Sequence, residues 1–340
     1  MRSFYKSDTL PSHNRVYCPI CGRVTTWKDK LISLEYRQMS FSIVFCVACN
    51  MAIRYPGLTN ECLSRYYSGY NRNSGGEMDA IFDDMYPISL KRLNLIGRST
   101  KAFPRSCLEI GPGAGTLLSL LRQQGMKVLG LEADPVAAEW MRKAKQLNII
   151  SGFFDHFIQT PEFHKYRRQF DLIVVSHVLE HVPRPIEFLA GIRHLIDERN
   201  GYLYVEVPDI VHPYSDSVSW KSYCDPGHLY YYSPDYLRLL FLNAGYEIIT
   251  LSHAFGAPYF SITCLLKVAT VPSNDTHLKY KNDIRHLRKV WLLYRAKHMF
   301  YRAPIHCLRS LVSMCSYSDK KIADQRSCRA QLSASQSTTH

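Results

Sequence analysis

Between residues 104 and 269, short apolar stretches alternate with amphipathic stretches at the spacing of strands and helices. This alternation predicts a mostly parallel, doubly wound sheet with helices on both faces, an α/β fold whose ligand lies at the carboxyl ends of the strands. The last two predicted strands, Tyr246 to Leu251 and Phe260 to Val268, follow each other without a helix between them. We therefore expect these two strands to form an antiparallel hairpin at one edge of the sheet.

A glycine-rich loop, Gly111-Pro-Gly113-Ala-Gly115, follows the first predicted strand, Ser106 to Ile110. Glycines let the backbone turn sharply and approach a ligand at the N-terminus of the next helix. The third glycine arrives one residue earlier than in the dinucleotide fingerprint G-x-G-x-x-G, which favours a different nucleotide-like ligand. The second predicted strand ends at Glu132, which is placed either to bind both hydroxyls of a ribose or to remain a solvated acid.

These features together resemble the class I S-adenosylmethionine-dependent methyltransferases, over residues 104 to about 269. The resemblance is carried by Glu109-x-Gly-x-Gly-x-Gly, the acid ending the second strand, Phe170-Asp-Leu-Ile-Val before Ser176-His-Val-Leu-Glu-His-Val-Pro, and Gly201 opening the fifth strand. It implies a Rossmann-like sheet and S-adenosylmethionine as cofactor, with the glycines at the methionine end and the fourth strand end beside the methyl group. The cofactor-binding residues that it implies are Glu109, Gly111, Gly113, Gly115, Glu132 at the ribose, Asp155 at the adenine, Ser176 and His177.

Two C-x-x-C pairs, Cys18 with Cys21 and Cys46 with Cys49, are separated by twenty-four residues. Four thiolates brought together form a closed tetrahedral site that suits zinc and leaves no open position for catalysis. About fifty residues bury too little apolar surface to fold comfortably alone, and structural zinc supplies on the order of 10 kcal/mol of linked folding energy. We predict a zinc ribbon over residues 1–57 with Zn²⁺ as a structural staple; direct contact of the ribbon with a substrate or partner is the alternative.

Residues 58–103 are predicted to form a helical connector, with a helix from about Met85 to Ile96. The ribbon and the start of the connector, with Arg54-Tyr-Pro and Leu63-Ser-Arg-Tyr-Tyr-Ser-Gly-Tyr, resemble the leader of a branch of these methyltransferases associated with sugar and surface-glycan pathways. This resemblance implies a small-molecule acceptor, a hydroxyl of a sugar, nucleotide sugar or glycan. Transfer to oxygen, nitrogen or carbon is left open.

A hydroxyl acceptor benefits from a general base, and histidine is the natural candidate at neutral pH. The predicted catalytic residues are His181, His228 and Tyr230. His181 follows the fourth predicted strand, and the other two lie in an aromatic insertion, residues 220–234, expected to overhang the cofactor. The alternatives are structural: His181 stabilises its own turn, and His228 packs within the aromatic insertion. A catalytic metal at Glu180 and His181 is disfavoured, because no additional acid-rich cluster supports it.

The net charge of +13 is unevenly placed, since residues 271–340 hold thirteen Lys and Arg against four Asp and the first 270 residues carry only +4. An alternating four-three apolar spacing from Ile284 to Val312 predicts a basic amphipathic helix, interrupted at Pro304, before a flexible tail. We expect the helix to pack on its own domain or on a second subunit, as in a homodimer. The alternative is an anionic membrane surface, where basic residues contribute about 1 kcal/mol each. Nucleic acid is less favoured.

No apolar run reaches the roughly 18 to 20 residues of a membrane-spanning helix, and no signal peptide is recognised. We therefore expect a cytoplasmic protein, and the membrane alternative for the tail would place it at the inner membrane surface.

The expected function is methyl transfer to a small molecule. The first alternative is an RNA methyltransferase, disfavoured because the body is only mildly basic and carries no Asn-Pro-Pro-Tyr-like motif. The second is a non-catalytic binding module, disfavoured by the intact glycine loop and Glu132.

Overall fold

The computed structural model covers the chain from Val16 to Ala269 with gaps. The described residues are 16–25, 30–36, 39–46, 51–58, 62–63, 67, 77–209, 225, 227–256 and 259–269. They belong to the first of two compact units, residues 1–282. The predicted basic helix and tail, residues 271–340, lie outside the described residues. Within the described ranges, no helix is both long and apolar enough to cross a bilayer.

The elements alternate as the sequence predicts. The strands are β1 Val16–Tyr17, β2 Val24–Thr25, β3 Lys30–Tyr36, β4 Met39–Phe45, β5 Ala52–Tyr55, β6 Ser106–Ile110, β7 Lys127–Glu132, β8 Ile149–Ser151, β9 Leu172–Ser176, β10 Tyr202–Pro208, β11 Tyr230–Tyr231, β12 Tyr246–Gly256 and β13 Tyr259–Val268. The helices are α1 Glu77–Asp84, α2 Tyr86–Ser99, α3 Thr116–Gln123, α4 Pro135–Ala144, α5 Phe154–Phe157, α6 Pro161–Lys165, α7 Pro185–Arg193 and α8 Pro234–Asn243, with a 3₁₀ turn over Leu179–His181.

The central sheet has the order β12-β13-β10-β9-β6-β7-β8. The strands from β10 to β8 are parallel, whereas β13 is antiparallel to β10 and β12 is antiparallel to β13. The predicted doubly wound sheet with an antiparallel edge hairpin is confirmed. The strand order reverses between β6 and β9. In doubly wound sheets, ligands bind at the carboxyl ends of the strands at such a switch point.

The central strands are apolar on both faces because helices cover both. In β9, Ile173 and Val175 join one buried cluster, whereas Leu172 and Val174 join the other. All four side chains have no measurable exposure. This burial explains why the strand reads as a continuous apolar run rather than as a polar and apolar alternation.

Local signals set where several helices begin. The Asp134 side chain accepts a hydrogen bond from Val136 N at 2.9 Å, and Pro135 occupies the first turn of α4, so the chain turns directly from the end of β7 into this helix. The predicted helix at Met85 to Ile96 corresponds to α2. Four elements between residues 133 and 169 were not predicted: α4, and the three short elements β8, α5 and α6, which are 3 to 5 residues long.

The ribbon forms a second sheet that includes a strand from the segment following β10. Its sheet has the order β11-β5-β4-β3, so the strand β11 from residues 230–231 pairs with β5 of the ribbon. Cys18, Met51 and Ile53 share one buried cluster with Leu179 and Tyr232. The predicted ribbon, residues 1–57, therefore shares both a sheet and a core with the segment that follows β10.

Candidate functional site

The glycine loop lies against the turn that follows β9. Gly111, Gly113 and Gly115 all have positive φ angles, between 59° and 72°. A Cβ atom at Gly111 would lie 2.5 Å from Val178 Cγ2, whereas the same atom at Gly113 would meet nothing within 4 Å. The loop therefore packs closely on its inner side and leaves open space beside Gly113, as a loop that admits a ligand requires.

Glu132 lies at the end of β7 with its carboxylate fixed by the loop. Its Oε2 accepts a hydrogen bond from Gly113 N at 3.0 Å, and its Oε1 accepts one from Asp134 N at 2.8 Å. Burial raises the pKa of this carboxyl to about 7, although the backbone donors oppose the shift. Since each carboxylate oxygen has two lone pairs, both oxygens retain acceptor capacity for the hydroxyls of a ribose. The residues thus fit an adenosyl ligand.

Glu109 and Asp155 flank this cradle. Glu109 lies in β6, and its buried Oε2 has no hydrogen-bond partner in the described part of the chain. Burial raises its pKa to about 7, while the charge of Arg92 opposes the shift. Asp155 is half-buried in the first turn of α5, and the preceding Gly152 N donates to Glu132 O at 2.8 Å. The loop carrying Asp155 is therefore held next to the end of β7.

His177 adopts a left-handed backbone conformation, φ 54°, immediately after β9. Its Nε2 lies 3.3 Å from Glu206 Oε1, and its Nδ1 lies 3.5 Å from Glu180 Oε1. Burial opposes a charged ring here, but the two carboxylates outweigh it and raise the pKa of His177 to about 9. At neutral pH this ring is a cation and does not act as a base. Ser176 precedes it, with its Oγ 3.5 Å from Glu206 Oε2.

Glu180 is the centre of a cluster of imidazoles. It is 1% exposed, and neither of its oxygens makes a hydrogen bond of good geometry with any described residue. His181 Nε2 and His228 Nε2 each lie 3.9 Å from Glu180 Oε1. The ligand atoms of these three residues are all within 4.8 Å of one another, a spacing that suits either a shared cation or the proton of a substrate. The structure brings together His181 and His228, which the sequence placed in separate segments.

The tautomer of His181 follows from its backbone contact. Its Nδ1 lies 3.0 Å from Gly227 O, and because a carbonyl only accepts, Nδ1 carries the hydrogen. Burial and the neighbouring His228 lower the pKa of His181 to about 4, so the ring is neutral at pH 7. Its Nε2 therefore presents a lone pair towards Glu180. Two acceptors face each other here, which favours a donor or a cation between them.

Tyr230, the third predicted catalytic residue, is buried. Its hydroxyl donates to Pro183 O at 2.9 Å, and its ring is buried in β11 against the ribbon. Burial raises the pKa of this phenol above its usual range. These contacts suit an anchor between the ribbon sheet and the turn after Glu180, rather than a group that deprotonates an acceptor.

Three residues near the site were not predicted. Glu206 on β10 contacts His177, and Arg92 on α2 contacts Glu206. The ring of Tyr67 lies edge-on to His181, with 5.6 Å between centroids. A buried acid inside an apolar strand, Tyr-Leu-Tyr-Val-Glu206-Val, was the available signal for the first of these.

Three of the four predicted zinc ligands lie in the described part of the chain. Cys18 and Cys46 are buried, Cys21 is exposed, and their sulfur atoms lie within 4.8 Å of one another. The distance between Cys21 Sγ and Cys46 Sγ is 3.4 Å. Cys49 lies outside the described residues. The donor set of clustered thiols fits a zinc ion.

Comparisons with known proteins agree with this geometry. The methyltransferase domain family matches residues 84–251. A ubiquinone biosynthesis O-methyltransferase of Klebsiella pneumoniae is 32% identical over 124 residues, 35% of this chain and 50% of that protein, so this chain spans about half the length of such relatives. The protein of the same name from Saccharophagus degradans is 25% identical over 224 residues, 63% of this chain and 90% of that protein.

Solved structures are similar at lower identity. The 1,6-didemethyltoxoflavin-N1-methyltransferase of Burkholderia thailandensis, solved with 1,6-didemethyltoxoflavin and S-adenosylhomocysteine, is 16% identical with a TM-score of 0.45, covering 69% of this chain and 98% of that chain. An S-adenosylmethionine-dependent methyltransferase from Archaeoglobus fulgidus has a TM-score of 0.40 at 16% identity, covering 59% and 99%. The match over residues 84–251, the glycine loop and the strand order support a class I S-adenosylmethionine-dependent methyltransferase domain in this chain.

Proposed function

We propose that the protein transfers the methyl group of S-adenosylmethionine to a hydroxyl oxygen of a small molecule. The observation that carries the proposal is the position of His181 Nε2, 3.9 Å from Oε1 of the buried Glu180 carboxylate. Glu180 and His181 lie on the turn after β9. The glycine loop contacts the same turn, where Gly111 packs against Val178. A cofactor cradle and a proton acceptor therefore border one crevice.

The chain's own residues would hold the cofactor as follows. The glycine loop approaches the methionine end, Glu132 accepts hydrogen bonds from the ribose hydroxyls, and Asp155 lies by the adenine. Ser176 and His177 border the methyl group. When bound, S-adenosylmethionine supplies an electrophilic methyl group on a sulfonium. Because methyl transfer is an in-line displacement, aligning the acceptor contributes most, about 7 to 11 kcal/mol in well-oriented systems.

The proton of the acceptor hydroxyl would move to His181 Nε2. A ring of such low pKa is free to accept a proton at neutral pH but holds it weakly. The carboxylate of Glu180, 3.9 Å away, favours the imidazolium that forms. His228 faces the same carboxylate and would orient the hydroxyl. General bases of this kind contribute roughly 100- to 10,000-fold to rate.

For the acceptor, we propose a sugar, nucleotide sugar or glycan hydroxyl, on the strength of the ribbon's resemblance. The relatives are named for O-methylation in ubiquinone biosynthesis, which supports oxygen as the receiving atom and suggests quinol-type hydroxyls as the competing class. For the ribbon, we propose Zn²⁺ bound by Cys18, Cys21, Cys46 and Cys49 as a structural ion.

Calorimetric titration with S-adenosylmethionine, S-adenosylhomocysteine and NAD tests the cofactor. Binding of the first two without NAD is expected, and their failure to bind zinc-loaded, folded protein would overturn the proposal in favour of a binding module. Transfer of labelled methyl to panels of nucleotide sugars, quinols and RNA then tests the acceptor. Label in RNA that falls steeply with salt would favour the RNA alternative.

Metal analysis of the active protein tests the competing role of the Glu180 cluster. We expect one zinc per chain, bound by the cysteines. A second equivalent of metal that disappears in His228→Ala and is required for turnover would show that Glu180, His181 and His228 hold a cation instead of accepting a proton.

A further inference from the structure

A chain of buried charges runs from the connector to the candidate site. Arg92 is on the buried face of α2, which it shares with Ser89 and Ile96. Its Nε donates to Glu206 Oε2 at 2.6 Å and its Nη2 donates to Glu206 Oε1 at 3.1 Å, a two-pronged ion pair. Both side chains are at most 10% exposed. Such planar, two-pronged pairing fixes the orientation of a carboxylate as well as its charge.

Glu206 in turn holds the end of β9. Its backbone carbonyl accepts from His177 N at 2.8 Å, and its Oε1 lies 3.3 Å from His177 Nε2. Tyr204, on the same face of β10, donates its hydroxyl to Glu206 Oε2 at 2.9 Å. His177 is thereby fixed at both its backbone and its ring, in a left-handed conformation that a non-glycine residue adopts only when its surroundings hold it there.

The signs of the charges alternate along this chain. The Arg92 guanidinium faces the Glu206 carboxylate, Glu206 faces the His177 ring, and His177 Nδ1 lies 3.5 Å from Glu180, the centre of the imidazole cluster. Arg92 and Glu206 are separated by 114 positions in the chain, so only the fold brings them together. Loss of Arg92 would leave the buried Glu206 carboxylate with His177 as its cationic partner.

We propose that Arg92 is a positioning residue of the methyl-transfer site, which orients Glu206 and through it fixes the His177 ring between the cofactor and Glu180. This inference rests on the proposed function, in which His177 borders the methyl group. Arg92 itself touches neither cofactor nor acceptor in this proposal. The connector helix is then part of the catalytic apparatus and not only a spacer between the ribbon and the sheet.

The test compares Arg92→Met with Arg98→Met, which removes an exposed arginine from the same helix. Arg92→Met is expected to lower kcat on the order of 100-fold and to change the Kd for S-adenosylmethionine by no more than about threefold, because misplacement of a site group acts on the reacting geometry. Arg98→Met is expected to leave both unchanged. Arg92→Lys keeps the positive charge but lacks the planar, two-pronged guanidinium, so its kcat should lie between those of Arg92→Met and the wild type.

A double variant separates positioning from simple charge balance. Arg92→Met with Glu206→Gln removes both members of the ion pair, so it should fold even if Arg92→Met alone does not. Recovery of thermal stability without recovery of kcat is expected. A double variant with wild-type kcat, or a folded Arg92→Met with wild-type kcat, would overturn the proposal.

Ring ¹⁵N chemical shifts of labelled histidines give a readout that needs no acceptor. The shifts of His177, assigned with His177→Asn, should change in Arg92→Met or Arg92→Lys and stay constant in Arg98→Met. Unchanged His177 shifts would refute the positioning role. If no acceptor is methylated at all, the proposed function fails while these spectra still decide whether Arg92 orients His177.

Discussion

The three histidines around Glu180 have different expected roles because their surroundings differ. His177 lies between two buried carboxylates, which raise its pKa and keep the ring protonated. His181 donates a hydrogen bond from Nδ1 to Gly227 O, and its lowered pKa keeps the ring neutral. The rings of His181 and His228 meet edge to face, with 4.7 Å between centroids. We therefore propose His181, rather than His177, as the proton acceptor.

Substitution of His181 by Ala is expected to reduce kcat by about 100- to 10,000-fold, the usual contribution of a general base. The affinity for S-adenosylmethionine should change little, since the glycine loop and Glu132 remain. Steady-state kinetics and calorimetry measure the two effects, with the exposed His164→Ala as the matched control. Full turnover in both His181→Ala and His228→Ala would eliminate the general base while leaving the methyltransferase assignment intact.

Binding of S-adenosylmethionine is expected to weaken as the pH falls from 8 to 6. The raised pKa of Glu132, about 7, means that the carboxylate needed to accept the ribose hydroxyls becomes protonated in this window. For one group with a pKa near 7, the affinity falls about tenfold over these two pH units. Titration calorimetry at several pH values measures it, and Glu132→Gln should bind weakly at pH 8 with a shallower pH dependence. A flat profile in the wild type would contradict the assigned role.

The same shift affects the stability of the ligand-free protein. Both Glu109 and Glu132 have folded-state pKa values of about 7, above those of the unfolded chain. Their contribution to stability is therefore fully present below the unfolded pKa and is lost as the pH rises through about 7. Because S-adenosylmethionine is expected to bind more tightly at pH 8, the increase in Tm on adding it should be larger at pH 8 than at pH 6.

At the scale of elements, the site depends on how closely two turns approach. The β6–α3 loop and the turn after β9 leave different strands and meet at Gly111 and Val178. Their contact lies at the switch point between β6 and β9, where the sheet opens a crevice. The glycine at this position is required by space as well as by backbone conformation.

Gly111→Ala should therefore cost more than Gly125→Ala. Both glycines have positive φ, 70° and 86°, which costs an alanine roughly 1 to 2 kcal/mol. Only the Cβ at Gly111 meets a neighbour, Val178 Cγ2 at 2.5 Å, while that at Gly125 meets nothing within 4 Å. Thermal unfolding should show a larger loss of Tm for Gly111→Ala, together with weaker cofactor binding. Equal losses in the two variants would refute the close approach.

At the scale of the whole molecule, the ribbon and the candidate site share structure. The backbone N–H of Arg54 in β5 donates to Leu229 O at 2.9 Å, beside the pairing of β5 with β11. The backbone N–H of Leu229 in turn donates to Glu180 O at 2.8 Å. His228 immediately precedes Leu229. The backbone that carries His228 is thus bonded to the ribbon on one side and to the Glu180 turn on the other.

Loss of zinc is therefore expected to impair methyl transfer more than cofactor binding. Cys18→Ser should lower the zinc content, the Tm and the turnover rate, because β11 loses the support of the ribbon. The Kd for S-adenosylmethionine should change less, because the glycine loop and Glu132 belong to the central sheet and its loops. Metal analysis, calorimetry and turnover measure the three effects. Chelation followed by zinc addition provides the control, and zinc-free protein with full turnover would show that the ribbon does not support the His228 segment.

The sequence by itself predicted the parts of this protein that depend on local spacing. The strand bounds Ser106 to Ile110 and the helix Pro234 to Asn243 agree with the structure, because apolar periodicity and flanking Pro and Gly are read from neighbouring residues. The antiparallel hairpin followed from the missing helix before β13. The glycine loop and the acid ending β7 likewise lie within one strand–turn–helix–strand segment, so their placement at one ligand cradle was foreseeable.

Only the tertiary structure decided which distant residues meet. Three contacts each join segments separated by many residues: β11 with β5, His228 with Glu180, and the Tyr230 hydroxyl with Pro183 O. The Arg92–Glu206 pair is the clearest case, since a charged residue on an amphipathic helix normally faces solvent. Burial of such charges is set by partners that the chain supplies from elsewhere, and local periodicity carries no information about those partners.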